Sequence, residues 1–139
     1  MSIRNIAANP SQVMVEQLVA SGVKYLFNNP GSREALFFDA LAAHPDIHGI
    51  MALHEGSVAA MAGGYTQGKL EPAVMSVHLG AGLAQSLGQL INIGAGGLPV
   101  VVITFVGDTG SFGDKVGLDL DPAPQRHARL SRVLDHISI

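Results

Sequence analysis

Cysteine and tryptophan are absent from this chain of 139 residues, and aromatic residues make up only 5% of it. Without cysteine, no disulfide or thiolate metal site can form, and the absence fits a reducing compartment, so we expect a cytoplasmic protein. Charged residues are also scarce, at 14% against 47% hydrophobic residues. So few charges predict a large contact surface with another chain.

Basic clusters and long hydrophobic runs are missing as well. The formal net charge is −3, and no basic patch with interleaved aromatic residues is present, which argues against a nucleic-acid partner. No apolar run reaches the roughly eighteen residues of a membrane span, and the N-terminal residues lack the apolar core of a signal peptide. We expect no metal site, because no ligand-like spacing connects His44, His48, His127 and His136.

Strand patterns and helix patterns alternate along residues 10–106. Strands are predicted over residues 23–27, 48–53, 72–77 and 99–106. Helices are predicted to begin at Pro10, directly after Ser32, at Glu55 and at Ala81. Asn9 is the expected cap of the first helix and Ser32 that of the second. This alternation predicts an α/β fold, a parallel sheet with helices on both faces. The last strand does not alternate polar and apolar residues, which predicts that both its faces are buried.

The last third of the chain has a different pattern. Residues 107–114 are turn-rich, residues 121–124 contain two prolines, and residues 125–137 have the periodicity of one amphipathic helix. By length we expect one domain. Its α/β core covers residues 1–106, and a loop and C-terminal helix cover residues 107–139.

Three motifs stand where a predicted strand passes into a helix. They are the turn of residues 29–32, the His54-Glu55 pair before an Ala/Gly-rich helix, and the glycine-rich run of residues 78–88. In an open parallel sheet this is the edge that binds ligands. A carboxylate such as that of Glu55 is favoured at a helix start, and small residues allow close approach of backbone or of a flat ligand.

In their order and spacing these motifs resemble the N-terminal pyrimidine-binding domain of thiamine diphosphate-dependent enzymes. The similarity is to the acetolactate synthase, benzoylformate decarboxylase and sulfopyruvate decarboxylase type, and it covers residues 10–106. The apolar strand from Leu98 to Thr104 also matches. The resemblance implies a thiamine diphosphate-binding fold, and a decarboxylase or carboligase that acts on a 2-oxo acid.

The resemblance also assigns roles to single residues. Glu55 matches the glutamate that hydrogen-bonds N1′ of the cofactor's aminopyrimidine, and His78 matches a histidine that transfers protons in some decarboxylases. Ser32 matches a substrate-contacting serine. Two alternatives stay open: His78 as a strand-end histidine bonded to backbone, and Ser32 as a plain helix cap. The other residues expected beside the cofactor are Pro30, Gly31, Gly80 and Gln85.

One half of the family's site has no clear match. The family binds diphosphate and magnesium with a Gly-Asp-Gly motif followed by an asparagine. Residues 107–110 match this motif only in part, and no asparagine follows Asn92. We therefore expect a shortened natural subunit or a fragment that is inactive alone. Magnesium and diphosphate would then be bound by a partner subunit, or by another domain within a homo-oligomer. Two alternatives are a non-catalytic truncated or regulatory domain and a small flavodoxin-like ligand-binding domain.

Overall fold

A computed structural model describes residues 8–105 of the chain. Strands and helices alternate along it: α1 (Pro10–Ala20), β1 (Tyr25–Asn29), α2 (Ala35–Ala42), β2 (His48–Met51), α3 (Glu55–Lys69), β3 (Ala73–Val77), α4 (Leu79–Ala95) and β4 (Val100–Thr104). Within these residues no helix combines the length and the hydrophobicity of a membrane span. The loop and C-terminal helix predicted for residues 107–139 lie outside the described residues.

The four strands form one parallel sheet in the order β2-β1-β3-β4. At the centre of the sheet, Phe27 of β1 lies opposite Ile50 on one side and Met75 on the other. Because all four strands run in the same direction, the segments that follow them emerge at one edge of the sheet. We call this the carboxyl edge.

Helices cover both faces of the sheet, which confirms the predicted fold class. One core, between the sheet and the helices α3 and α4, includes Phe27, Val58, Ala62, Met75, Leu83 and Ile93. The other, between the sheet and the helices α1 and α2, includes Val15, Leu26, Phe37, Leu41 and Val74. Neighbours in sequence such as Leu26 and Phe27 belong to opposite cores, because side chains alternate across a strand.

The two predicted helix caps had different outcomes. Asn9 caps α1 as predicted: its side chain accepts the Gln12 N–H at 2.9 Å, and the Gln12 side chain accepts the Asn9 N–H at the same distance. The prediction that Ser32 caps the second helix is wrong. The chain first tightens into a 3₁₀ turn, Ser32–Glu34, and the Glu34 carboxylate reaches back to accept the Gly31 N–H at 2.7 Å.

The last described strand is less buried than predicted. Val101 is 51% exposed, and its neighbours in β4 are half-buried. Within the described sheet β4 lies at the edge and pairs only with β3. A run of β-branched residues indicates a strand, but it does not reveal whether the strand is central.

Candidate active site

Glu55 begins α3 at the carboxyl edge. His54 caps this helix, because its Nδ1 accepts the N–H of Gly56 at 3.0 Å. The half-buried Glu55 carboxylate therefore lies in the first turn, where the helix dipole favours negative charge.

The Glu55 side chain packs against α4 at a glycine. A Cβ added to Gly82 would lie 3.0 Å from Glu55 Oε1 and 3.2 Å from its Cγ. A Cβ added to Gly56 would lie 3.5 Å from the backbone oxygen of Gln85. The two helices approach this closely because positions 56 and 82 lack side chains, and the approach limits where the carboxylate can go.

His78 connects the end of β3 to α4 and bonds to a buried carboxylate. Its Nδ1 lies 2.8 Å from Oε2 and 3.1 Å from Oε1 of Glu34. Glu34 is fully buried, and its Oε2 also accepts the N–H of Gly31. An ionised carboxylate can only accept hydrogen bonds, so we assign the proton to Nδ1. In the neutral form of the ring, Nε2 then carries the free lone pair.

Gly31 makes room for the His78 ring. A Cβ added at this position would lie only 2.3 Å from His78 Nδ1, a distance at which atoms overlap. The His78 ring therefore packs directly against the Gly31 backbone. This contact connects the loop after β1 to the end of β3. The sequence assigned Gly31 to cofactor contact. The structure shows it in contact with His78, and its contact with a cofactor stays a prediction.

Backbone contacts bring Glu55 and His78 into one site. The N–H of Gly82 donates to the backbone oxygen of His78 at 2.7 Å, while its Cα faces the Glu55 carboxylate. A single glycine in the first turns of α4 thus touches both residues. The alternative interpretation of His78, a strand-end histidine bonded to backbone, predicts a backbone partner for the ring, whereas Nδ1 bonds to the Glu34 carboxylate. Proton transfer by His78 stays a prediction.

The other predicted site residues lie at the same edge. Pro30 is exposed in the loop after β1, Ser32 is exposed at the start of the 3₁₀ turn, and Gly80 lies half-buried in the first turn of α4. Gln85 lies one turn further along α4, where its side chain is exposed and its backbone oxygen faces α3. The structure thus gathers these residues at one edge, while their contact with a ligand stays a prediction.

Two residues of the site were not predicted from the sequence. Glu34 lies three positions after Gly31, the spacing at which a glutamate reaches back to the N–H before a helical turn, so a signal for its position was present. Gly82 carried no signal that set it apart from the neighbouring glycines. Within residues 8–105, no three His, Cys, Asp or Glu side chains come together as metal ligands would.

Residues 8–133 match the family model described as "Thiamine pyrophosphate enzyme, N-terminal TPP binding domain". The chain belongs to this family. Thiamine pyrophosphate is the same compound as thiamine diphosphate. The match includes the whole carboxyl edge described above, so the resemblance seen in the motifs is confirmed.

Individual relatives support the same assignment. IlvX of Mycobacterium tuberculosis, named for acetolactate synthase large subunits, is 36% identical over 113 residues, which are 81% of this chain and 22% of that protein. Benzoylformate decarboxylase of Pseudomonas aeruginosa is 34% identical over 63% of this chain and 16% of its own length. The chain therefore spans about a fifth of the length of the curated relatives it matches.

Solved structures agree in fold. The thiamine diphosphate-dependent 4-hydroxybenzoylformate decarboxylase of Rhodococcus jostii superposes with a TM-score of 0.66 at 34% identity, over 70% of this chain and 18% of that one. Benzoylformate decarboxylase of Polynucleobacter necessarius gives a TM-score of 0.62 at 28% identity, over 68% and 18% of the two chains.

Proposed function

We propose that this chain supplies the pyrimidine-binding half of a thiamine diphosphate-dependent decarboxylase or carboligase that acts on a 2-oxo acid. One observation carries the proposal. At the carboxyl edge the first-turn carboxylate of Glu55 packs against Gly82, and the N–H of the same glycine donates to the backbone oxygen of His78, whose ring bonds to Glu34. Proton transfers at two different positions need two acid–base groups, each held in place by its own contacts.

The side chains present fit the aminopyrimidine part of the cofactor. Glu55 offers a carboxyl group, which can share a proton with a ring nitrogen. The Glu55 carboxylate packs against Gly82 of α4. This contact limits the positions from which the carboxylate can meet a ligand. When bound, the cofactor supplies the carbon nucleophile of its thiazolium ring.

Glu55 and His78 would divide the proton transfers between them. Glu55 holds and exchanges a proton at its carboxyl oxygens, directed at the ring nitrogen of the pyrimidine. His78 has Nε2 free because Glu34 fixes the proton on Nδ1, so Nε2 can accept a proton from a substrate group and return it. Ser32, Pro30, Gly31, Gly80 and Gln85 are proposed as lining for substrate and cofactor at the same edge.

The diphosphate and magnesium half would come from elsewhere. The matching family model describes an N-terminal domain, and the chain spans about a fifth of the length of its relatives. We therefore propose that another domain, in a partner subunit or a second copy of the polypeptide, binds magnesium and the diphosphate. The chain alone would then bind the cofactor weakly or not at all.

A groove between α3 and α4 is the proposed contact surface for that second chain. It has a volume of about 160 Å³ and is lined mostly by small or amide side chains: Ala59, Ala60, Gly63, Gly64, Gln67, Gln89 and Asn92. Small side chains let another helix approach closely. We expect light scattering to show a dimer or larger assembly, and a monomer at high concentration would count against this surface.

The Glu55→Gln variant tests the proposed function. The two side chains have the same shape, so fold and assembly should be retained. An amide cannot exchange a proton with the ring nitrogen, and we expect activity to fall about 10²–10⁴-fold, as for other positioned proton-transfer groups. The chain is combined with a diphosphate-binding domain, and exchange of the cofactor's C2 proton for deuterium is measured. Glu71→Gln, far from this edge, is the matched control.

Unchanged C2 exchange in Glu55→Gln would leave the non-catalytic alternative as the better account. The purified chain alone is titrated with thiamine diphosphate and magnesium in the same series. Tight, magnesium-dependent binding to the chain alone would show that residues 107–110, or others of this chain, complete the site.

A further inference from the structure

The residue that follows His78 has an unusual backbone conformation. Leu79 has a φ of +49°, in the left-handed region that side chains other than those of glycine, asparagine and aspartate seldom adopt. Its side chain is only 5% exposed. Left-handed residues of this kind persist where the surrounding contacts determine them, and such sites often lie next to functional groups.

A hydroxyl group from a neighbouring strand holds this turn. Thr104 Oγ1 donates to the backbone oxygen of Leu79 at 3.0 Å. Thr104 is the last residue of β4 and lies opposite Val77, the last residue of β3. The end of β4 is therefore bonded to the turn that carries His78.

We propose that Thr104 and Leu79 are positioning residues for His78. The hydroxyl of Thr104 holds the left-handed turn at Leu79, and this turn directs the His78 ring across Gly31 onto Glu34. With Leu79 in the ordinary helical region, the chain would leave β3 in another direction and the 2.8 Å contact with Glu34 would be lost. The inference rests on the proposed function, because proton transfer by His78 is what the positioning serves.

The direct test reads the tautomer of His78 in the purified chain. Nitrogen NMR distinguishes Nδ1–H from Nε2–H imidazole, and the His78→Gln variant identifies the His78 signals among those of the six histidines. We expect a Nδ1–H ring in the wild type and in Thr104→Ser, which keeps the hydroxyl. In Thr104→Val, which has the same shape without the hydroxyl, we expect both ring-nitrogen shifts to move toward a mixture of tautomers.

A merely structural role for Thr104 gives a different result. Thr104→Val would then melt at a lower temperature, while the folded protein kept the wild-type His78 signals. That outcome overturns the proposal. Rescue of the tautomer by Thr104→Ser, together with its loss in Thr104→Val, supports it.

A second pair of variants covers the case in which Thr104→Val does not fold. Leu79→Ala and Leu79→Gly both remove the branched end of the buried side chain, but only glycine adopts a positive φ freely. We expect Leu79→Gly to melt at the higher temperature. Alanine is the more stabilising of the two at an ordinary helix position. A higher melting temperature for Leu79→Ala would therefore show that Leu79 does not adopt the left-handed conformation, and it would overturn the proposal.

These measurements do not require an active complex. An inactive reconstituted complex, together with a His78 tautomer that depends on the Thr104 hydroxyl, would contradict the proposed function and still support the positioning role of Thr104. If the complex is active, Thr104→Val should lower kcat with little change in KM, and Thr104→Ser should restore it. An unaltered kcat in a Thr104→Val complex would contradict the positioning role.

Discussion

The two ends of the parallel sheet each have a hydrogen-bonded carboxylate, one of them buried and the other exposed. At the carboxyl edge, Glu34 is fully buried and bonds to His78 and to the Gly31 N–H. At the amino end, the Tyr65 hydroxyl donates to Glu71 at 2.8 Å on the exposed surface. The Tyr65 ring there packs edge-on against Tyr25, with centroids 5.7 Å apart.

The difference shows where the fold depends on its polar contacts. Water can replace either partner of an exposed hydrogen bond, so such a bond contributes little to stability. A buried carboxylate without its donors is strongly unfavourable. The carboxyl edge therefore keeps its geometry only if Glu34, His78 and Gly31 are all in place. Four sets of variants test this difference between the two ends.

The largest effect is expected from removing the buried carboxylate. Glu34→Ala leaves a cavity and deprives both the His78 ring and the Gly31 N–H of their acceptor. We expect a loss of about 3 kcal/mol in the free energy of unfolding, as for other broken buried pairs. Urea unfolding followed by circular dichroism measures it. Glu71→Ala is the control at the amino end, and an equal loss in both variants would remove the distinction between the two ends.

Gly31→Ala should have the next largest effect. The added methyl group overlaps the His78 ring, so either the ring or the loop must shift. We expect a loss of about 2 kcal/mol, as for other overpacked sites. Gly88 in α4 does not line the groove between α3 and α4, and outside the helix's own backbone an added Cβ would meet no atom within 4 Å. Gly88→Ala should therefore gain about 0.5–1 kcal/mol. The comparison fails if both substitutions change the urea midpoint in the same direction.

Gly82→Ala should separate stability from function. The added Cβ lies 3.0 Å from Glu55 Oε1, and a half-exposed carboxylate can move by a few tenths of an ångström. Alanine also favours the helix by up to about 1 kcal/mol, so the melting temperature should change little. Exchange of the C2 proton in the reconstituted complex should nevertheless slow, because Glu55 is displaced. Normal exchange together with normal stability would show that the close contact has no role in positioning Glu55.

The smallest effect is expected at the amino end, at high pH. The hydrogen bond to Glu71, followed by partial burial, raises the pKa of Tyr65 above its ordinary value of 10.0. Folding therefore favours the protonated phenol. This contribution to stability is complete below the unfolded pKa and is lost as the pH rises through the folded one.

Ultraviolet titration of tyrosinate tests this assignment. Tyr25→Phe leaves Tyr65 as the one tyrosine of the chain, and Glu71→Gln in that background should lower its pKa. A pKa that does not respond to Glu71→Gln would assign the shift to burial instead.

Local pattern was sufficient for the order of elements and for some of their boundaries. The capping of α1 by Asn9 and the start of α3 at Glu55 depend on neighbouring residues, and the structure agrees with both. The bond between Glu34 and His78 joins residues that are distant in sequence, and no local rule predicts it. Ser32 was expected to cap a helix because serine often does, but a 3₁₀ turn intervenes and Glu34 reaches back instead.

The central position of β1 has a consequence for how the chain folds. β1 pairs with β2 on one side and with β3 on the other, so the carboxyl edge is incomplete until the third strand docks. Pairings between segments far apart in sequence form slowly. The Gly31 N–H is bonded to Glu34, and Glu34 in turn holds the ring delivered by β3. Protection of that amide from solvent deuterium during refolding would therefore show whether the turn from Gly31 to Glu34 is stable before β3 docks or only once the His78 ring arrives.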